Sequence, residues 1–271
     1  MLIKKIFSYA ILKVVAMGLS VIYVMYLAKI LSAEMLGAYY LIITVVAFSM
    51  VLSRLGFDSY LVKKISIFSN NAMPSSIKKI IRYAAARILI MSLFMILCII
   101  IFDGLILELL FDGGDYHAEL LITISMLYLY NMVHIYSEAL KAMGCFSLSV
   151  VFPGLCFPLF NIVFISIFFP IYGYLSIYAS IAMSITVMYL ISFLVFKNAV
   201  GKLLCVAEAE AEAEAEAEAF EIPLSFYYIA ITNFIFASID ILSLGFFSVN
   251  SDVGVFSIQL NTFIKLSSFI P

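Results

Sequence analysis

The sequence predicts an all-α fold, a polytopic membrane helix bundle of about eight transmembrane helices, with a first six-helix bundle followed by an incomplete second one. Composition is the first observation behind this: 65% of the 271 residues are hydrophobic, 12% are charged, and mean hydropathy is +1.17, far from the balance of soluble proteins. The second is the recurrence of apolar runs of about 20 residues, the length that crosses a hydrocarbon core about 30 Å thick. The third is the distribution of Lys and Arg, which gather in alternate connections between those runs.

The first run, 7–30, follows Lys4 and Lys5 as a secretory signal would. It is too long for one and has no small-x-small cleavage site, so it reads as a retained span. Further spans are expected over 38–61, 84–107, 118–140, 146–169, 173–196, 224–247 and 253–271, the last running to the chain end. Pro153, Gly154 and Pro158 should bend the fifth. The expected organisation is a first six-helix bundle over 1–196, a linker over 197–223, and the first two helices of a second bundle over 224–271.

Orientation follows from charge. Lys4, Lys5 and Lys13 mark the N-terminal side, and Lys63, Lys64, Lys78, Lys79, Arg82 and Arg87 fill the second-to-third connection. Lys141 follows the fourth span, and Lys197 and Lys202 follow the sixth. Asp103, Glu108, Asp112, Asp115 and Glu119 occupy the third-to-fourth connection without a Lys or Arg. The basic side is expected to be cytoplasmic, with the N-terminus on it. Lys29, near Glu34, is the exception.

Six of the 17 acidic residues lie in the Ala-Glu alternation from Ala207 to Glu218, so outside it 15 basic residues face 11 acidic ones. Ala and Glu favour helix, but a helix acidic on every side has no apolar stripe to dock, and the tract reads as a solvated cytoplasmic spacer. Four cysteines without CxxC spacing and two histidines assemble no zinc or redox motif. No metal, cofactor, disulfide or nucleic-acid partner is expected. The 17 Tyr, with Trp absent, serve as interfacial anchors.

An internal repeat links the halves. Glu34-Met35-Leu36-Gly37-Ala38-Tyr39 opens the second span, and Asp252-Val253-Gly254-Val255-Phe256 opens the eighth. Both read acid, apolar, Gly, small or apolar, aromatic. Gly37 and Gly254 are structural turn candidates 217 residues apart, the length of one six-helix unit.

Together with Leu27 to Tyr39, Leu55-Gly56-Phe57-Asp58-Ser59-Tyr60-Leu61-Val62-Lys63, Glu138 to Gly144, Ile222-Pro223-Leu224 and Ile239 to Gly245, these motifs make the chain resemble the polysaccharide flippases of the multidrug/oligosaccharidyl-lipid/polysaccharide exporter superfamily. Relatives there handle O-antigen, teichoic-acid and lipid II precursors. The resemblance implies an inner-membrane flippase of bacteria that moves a polyprenyl-pyrophosphate-linked glycan by alternating access, for O-antigen or capsule-like surface polysaccharide. Membrane lipid and other surface-polysaccharide assembly proteins are its implied surroundings. Such proteins have about twelve or more spans in two pseudo-symmetric bundles, so a chain stopping at Pro271 reads as C-terminally truncated. An inactive fragment and a cation-coupled multidrug exporter of the same superfamily are the alternatives. A membrane glycan polymerase or acyltransferase is a third, disfavoured because the stretch from Asp103 to Glu119 holds one His and no Arg. The chain is therefore read as a transporter and not as an enzyme.

An anionic head group crossing the bilayer needs cations facing a wet cavity, and the candidates are Lys13, Arg54 and Lys265. Lys13, about 9 Å into the first span, either faces the cavity or snorkels. Arg54 either pairs with Asp58 one turn on or meets the head group. Lys265, about 18 Å into the eighth span, lies near the midplane. Asp240, inside the seventh span, is a candidate for ion pairing or for coupling to a proton gradient. Asn131, His134, Asn161 and Asn233 either hydrogen-bond a sugar or, in the commoner use of such residues, join helix to helix.

Overall fold

The computed structural model describes residues 2–54, 56–71, 73–111, 115–207, 224–247 and 252–258. Among them the chain forms helices and no strand: α1 (Leu2–Ile30), α2 (Ala33–Arg54), α3 (Phe57–Asn70), α4 (Pro74–Leu110), α5 (His117–Ser125), α6 (Leu127–Ala142), α7 (Phe146–Val150), a π-helical turn (Val151–Cys156), α8 (Phe157–Tyr172), α9 (Leu175–Ala207) and α10 (Leu224–Phe247). Six spans are long and apolar enough to cross a membrane: Phe7–Ile30, Ala33–Arg54, Pro74–Leu110, His117–Ala142, Phe146–Tyr172 and Leu175–Lys202. The described residues hold a seventh if α10, whose segments Ser225–Phe236 and Ser238–Gly245 meet at 56°, is one broken span and not a re-entrant loop. The all-α polytopic bundle expected from composition is what the described residues build. Of the expected eighth span, only the helical residues 252–258 are described, and most of the Ala-Glu tract and Lys265 lie outside the described residues.

The second span is shifted from its expected 38–61: it begins at Ala33 and ends at Arg54. Gly56 is the cause. Its φ of 74° is left-handed, which a residue with a Cβ adopts only with strain, and it starts a separate helix, α3. The missing Cβ has a second use, since an atom there would stand 2.8 Å from the backbones of both Phe226 and Tyr227 at the start of α10. The six basic residues expected in a plain loop are therefore carried by helix, from α3 into the first turns of α4.

The fifth span is interrupted by a π-helical turn at two of the residues expected to bend it. Pro153 and Gly154 lie in the π-helical turn, because a residue without an N–H leaves a carbonyl unpaired and the ladder slips by one residue. Gly154 also admits α1, as a Cβ on it would lie 2.8 Å from the Ala16 Cβ.

Apolar packing divides into two main regions. Toward the end of the bundle where α1 meets α2, Leu27, Leu36, Leu41, Ile42, Leu120 and Tyr178 are fully or nearly fully buried. Toward the other end, Phe57, Leu61 and Ile65 of α3 lie against Ile77, Ile80 and Ile88 of α4 and Ile135 and Ala139 of α6. Each fully buried side chain of this size contributes about 1.5–3 kcal/mol in water; within a bilayer, close packing replaces much of that drive.

The two ends differ in charge. One carries Lys13, Arg54, Lys63, Lys78, Lys79, Arg82, Lys141, Lys197 and Lys202; the other carries Glu34, Asp103, Glu108, Asp115, Glu119 and Asp252, with Lys29. They are called the basic and the acidic end below. At the acidic end the two repeat motifs touch. A Cβ on Gly254 would overlap the Ala33 carbonyl oxygen and stand 2.9 Å from the Gly37 amide nitrogen.

Candidate functional site

The helix α6 carries a stripe of polar side chains, Tyr130, His134, Glu138 and Lys141, at spacings of three and four that keep them on one face. Tyr136, Ile135 and Ala139 on the other side bury against α3, α4 and α9. This leaves the stripe to face α1, α2 and the π-helical turn.

Two cavities meet on this stripe. The larger, about 350 Å³, lies at the basic end and is lined by Lys13 and Ser20 of α1, His134, Glu138 and Lys141 of α6, and Gly154 of the π-helical turn, among others. The smaller, about 190 Å³, lies deeper and is mostly apolar, with Tyr39, Met50, Thr123, Tyr130 and Phe157 in its wall. His134 lines both. Its ring stands edge-on to Tyr130, with centroids 5.1 Å apart. The imidazole is thus part of the partition between a charged chamber and an apolar one.

Charge at the basic-end chamber is organised in pairs. Lys141 Nζ donates to Glu138 Oε2 at 3.1 Å, a partly exposed i,i+3 pair. Arg54 Nε lies 3.4 Å from Asp58 Oδ2, with side chains 13% and 32% exposed. Neither Arg54 Nε nor Asp58 Oδ1 completes a hydrogen bond with a described residue. Burial pushes the Asp58 carboxyl above the ordinary carboxylate range; Arg54 and Lys141 pull the other way, and Glu138 adds to the rise. Arg54 is also close enough to Tyr130 and His134 to act on them electrostatically. Ser137 Oγ donates to the Ser149 carbonyl, which ties α6 to the wall opposite Lys13.

The predicted residues separate as follows. Lys13 is exposed and lines the larger cavity. Arg54 and Asp58 pair with each other outside its lining, and Glu138 and Lys141, which do line it, act on Asp58 electrostatically. Asp240 is exposed on α10, its carbonyl accepting from Ser243 Oγ at 2.9 Å, and no described residue forms an ion pair with it. Lys265 lies outside the described residues. Gly37 and Gly254 meet at the acidic end, away from both cavities. Asn131 does join helices, donating to Ser92 Oγ at 3.3 Å, whereas Asn161 donates to the Phe157 carbonyl of its own helix. Among the described residues no cluster of three or more His, Cys, Asp or Glu side chains could hold a metal ion.

Three residues of the site, Tyr130, Glu138 and Lys141, are absent from the sequence-based candidates, and His134 appears among them only as a polar hydrogen-bonding residue. Their helical spacing was the available signal. The family model for polysaccharide biosynthesis proteins matches residues 2–270. The chain belongs to that family. No curated protein and no solved structure matches it. By its apolar helices and its family, the chain is a multi-pass membrane protein of polysaccharide biosynthesis.

Proposed function

We propose that the chain is an inner-membrane flippase that translocates polyprenyl-pyrophosphate-linked oligosaccharide units for an O-antigen or capsule-like surface polysaccharide. The single observation that supports it most is the basic-end chamber, lined by Lys13 and the Glu138–Lys141 pair, with the partly buried Arg54–Asp58 pair acting electrostatically on the same group of charges, in a chain of the polysaccharide biosynthesis family. A head group bearing two phosphates needs cations within reach and hydroxyls to complete its hydrogen bonds. Lys13 supplies the former, and Ser20, Ser137 and Ser149 line the same wall.

In this reading the basic end faces the cytoplasm, consistent with the gathering of Lys and Arg there. Residues 1–196 are the first bundle, 197–223 the linker and 224–271 the opening of the second bundle, with Lys265 a further cavity cation and Asp240 a pairing or coupling group. Transport proceeds by rocking of the bundles, and the energy-coupling step resides in the membrane protein without enzymatic turnover.

The test is a reconstituted flipping assay. Proteoliposomes carrying a fluorophore-tagged polyprenyl-pyrophosphate oligosaccharide are treated with a membrane-impermeant quencher, and the protected fraction is read. Active protein should lower that fraction below the one half left in protein-free vesicles, and Lys13→Gln should slow the loss about tenfold, as for one charge-assisted contact of 1.4 kcal/mol. Equal protection with and without protein, when a known scramblase works in the same vesicles, overturns the reading.

A further inference from the structure

The helix α4 runs for 37 residues, about 55 Å, longer than a bilayer core is thick. One of its faces, Ile77, Ile80, Ile81, Ala84 and Ile88, is buried under α3. The opposite face points away from the bundle, and there Ile90, Leu93, Phe94, Leu97 and Ile101 are each more than half exposed. That stripe is suited only to acyl chains.

Followed back toward Pro74 at spacings of three and four, the same stripe passes through Ala86 and becomes Arg82, Lys79 and Lys78, all exposed. Lys78 is 11 residues before Leu89, about 16 Å along the helix. The change from apolar to basic therefore occurs over the distance between the acyl region and the head groups. Where the two zones meet, Arg87 Nε donates to Tyr83 Oη at 3.2 Å, and its guanidinium stands 5.5 Å from the centre of that ring. An aromatic and a cation so paired are suited to the interface. Between positions 55 and 87 the only acidic residue is Asp58, which faces Arg54. No described residue forms an ion pair with Lys78, Lys79 or Arg82.

From this continuity we infer that Lys78, Lys79 and Arg82 form a binding site for anionic phospholipid head groups in the leaflet at the basic end. The occupant is lipid because the cations share their stripe with the acyl-facing side chains. Juxtamembrane Lys and Arg attract acidic lipid with a free energy that corresponds to about fivefold per residue. This inference is independent of what the cavities carry.

The experiment measures lipid selectivity of the whole chain in neutral detergent micelles by native mass spectrometry, with phosphatidylglycerol and phosphatidylcholine of identical acyl chains in competition. The expected result is retention of phosphatidylglycerol over phosphatidylcholine, with the preference reduced about a hundredfold in Lys78→Gln/Lys79→Gln/Arg82→Gln. The charge-conserving Lys78→Arg/Lys79→Arg/Arg82→Lys should keep it, and so should Lys29→Gln at the acidic end. Inorganic phosphate at millimolar concentration should not compete. A preference unchanged in the triple Gln variant, lost equally in Lys29→Gln, or abolished by inorganic phosphate overturns the inference. If the triple Gln variant fails to fold, Lys78→Gln/Lys79→Gln replaces it, and an unchanged preference there has the same meaning.

Discussion

Gly254 rests on the first turn of α2 so closely that a side chain at that position would come within 2.9 Å of the Gly37 amide nitrogen and overlap the Ala33 carbonyl oxygen. The two glycines are the matching positions of the internal repeat, and the missing side chain of Gly254 lets its backbone approach that of Ala33 and Gly37. Packing of backbone on backbone is how membrane helices gain contact where no hydrophobic drive exists between them.

Gly254→Ala should therefore destabilise the protein by about 1–3 kcal/mol, the range for overpacking at a site with no room to relax. Thermal unfolding of the purified protein in detergent, followed by circular dichroism, reads this directly. An unchanged midpoint would mean that the contact at the acidic end is loose.

Removing Arg54 leaves the Asp58 carboxylate desolvated with its nearest cation gone. The pair is partly buried, so Arg54→Ala should cost about 1–3 kcal/mol, between the values for exposed and buried pairs. Adding Asp58→Asn should recover part of that loss. If the double variant is no more stable than Arg54→Ala, the two groups are not coupled.

The direction of the Asp58 shift predicts a pH dependence. Burial raises the folded-state value, so the folded protein takes up this proton at higher pH than the unfolded chain does. The stabilisation from that proton is fully present below the unfolded value and is lost as pH rises through the folded one. Asp58→Asn should flatten the unfolding midpoint against pH just above the ordinary carboxylate range; a slope equal to that of the unmodified protein would assign the dependence to other groups.

His134 is shared by the walls of both chambers. Trimming it to Ala should join them. With native cysteines replaced by Ala and Met126→Cys placed in the deeper wall, a small water-soluble thiol reagent should label that site several-fold faster in the His134→Ala background. Equal rates would show that the imidazole is no partition.

Helix length and charge were legible because each depends on residues close in sequence. Runs such as 7–30 and 224–247 match helices to within a few residues, and Pro153 and Gly154 announced the disturbance in the fifth span. The end of the second span was missed because Gly56 acts through its backbone angle and through Phe226, 170 positions away. No local pattern carries that contact. Lys13 and Arg54 stood out as charges in apolar runs, whereas Tyr130, His134, Glu138 and Lys141 look unexceptional singly. They become a site only when α1 and the π-helical turn enclose the face they share.

Gly56, Gly245 and Gly254 have one consequence in common. At each, the surface between α2 with its turns and the segment from α10 onward lacks a Cβ: Gly56 lies under the Phe226 and Tyr227 backbones, Gly245 against the Leu41 side chain, and Gly254 on Ala33 and Gly37. Interdigitated side chains act as teeth, and moving past them requires disengaging each one. At Gly56, Gly245 and Gly254 the seam lacks such teeth, whereas between them the Phe48 and Phe234 rings engage across it, with centroids 5.3 Å apart.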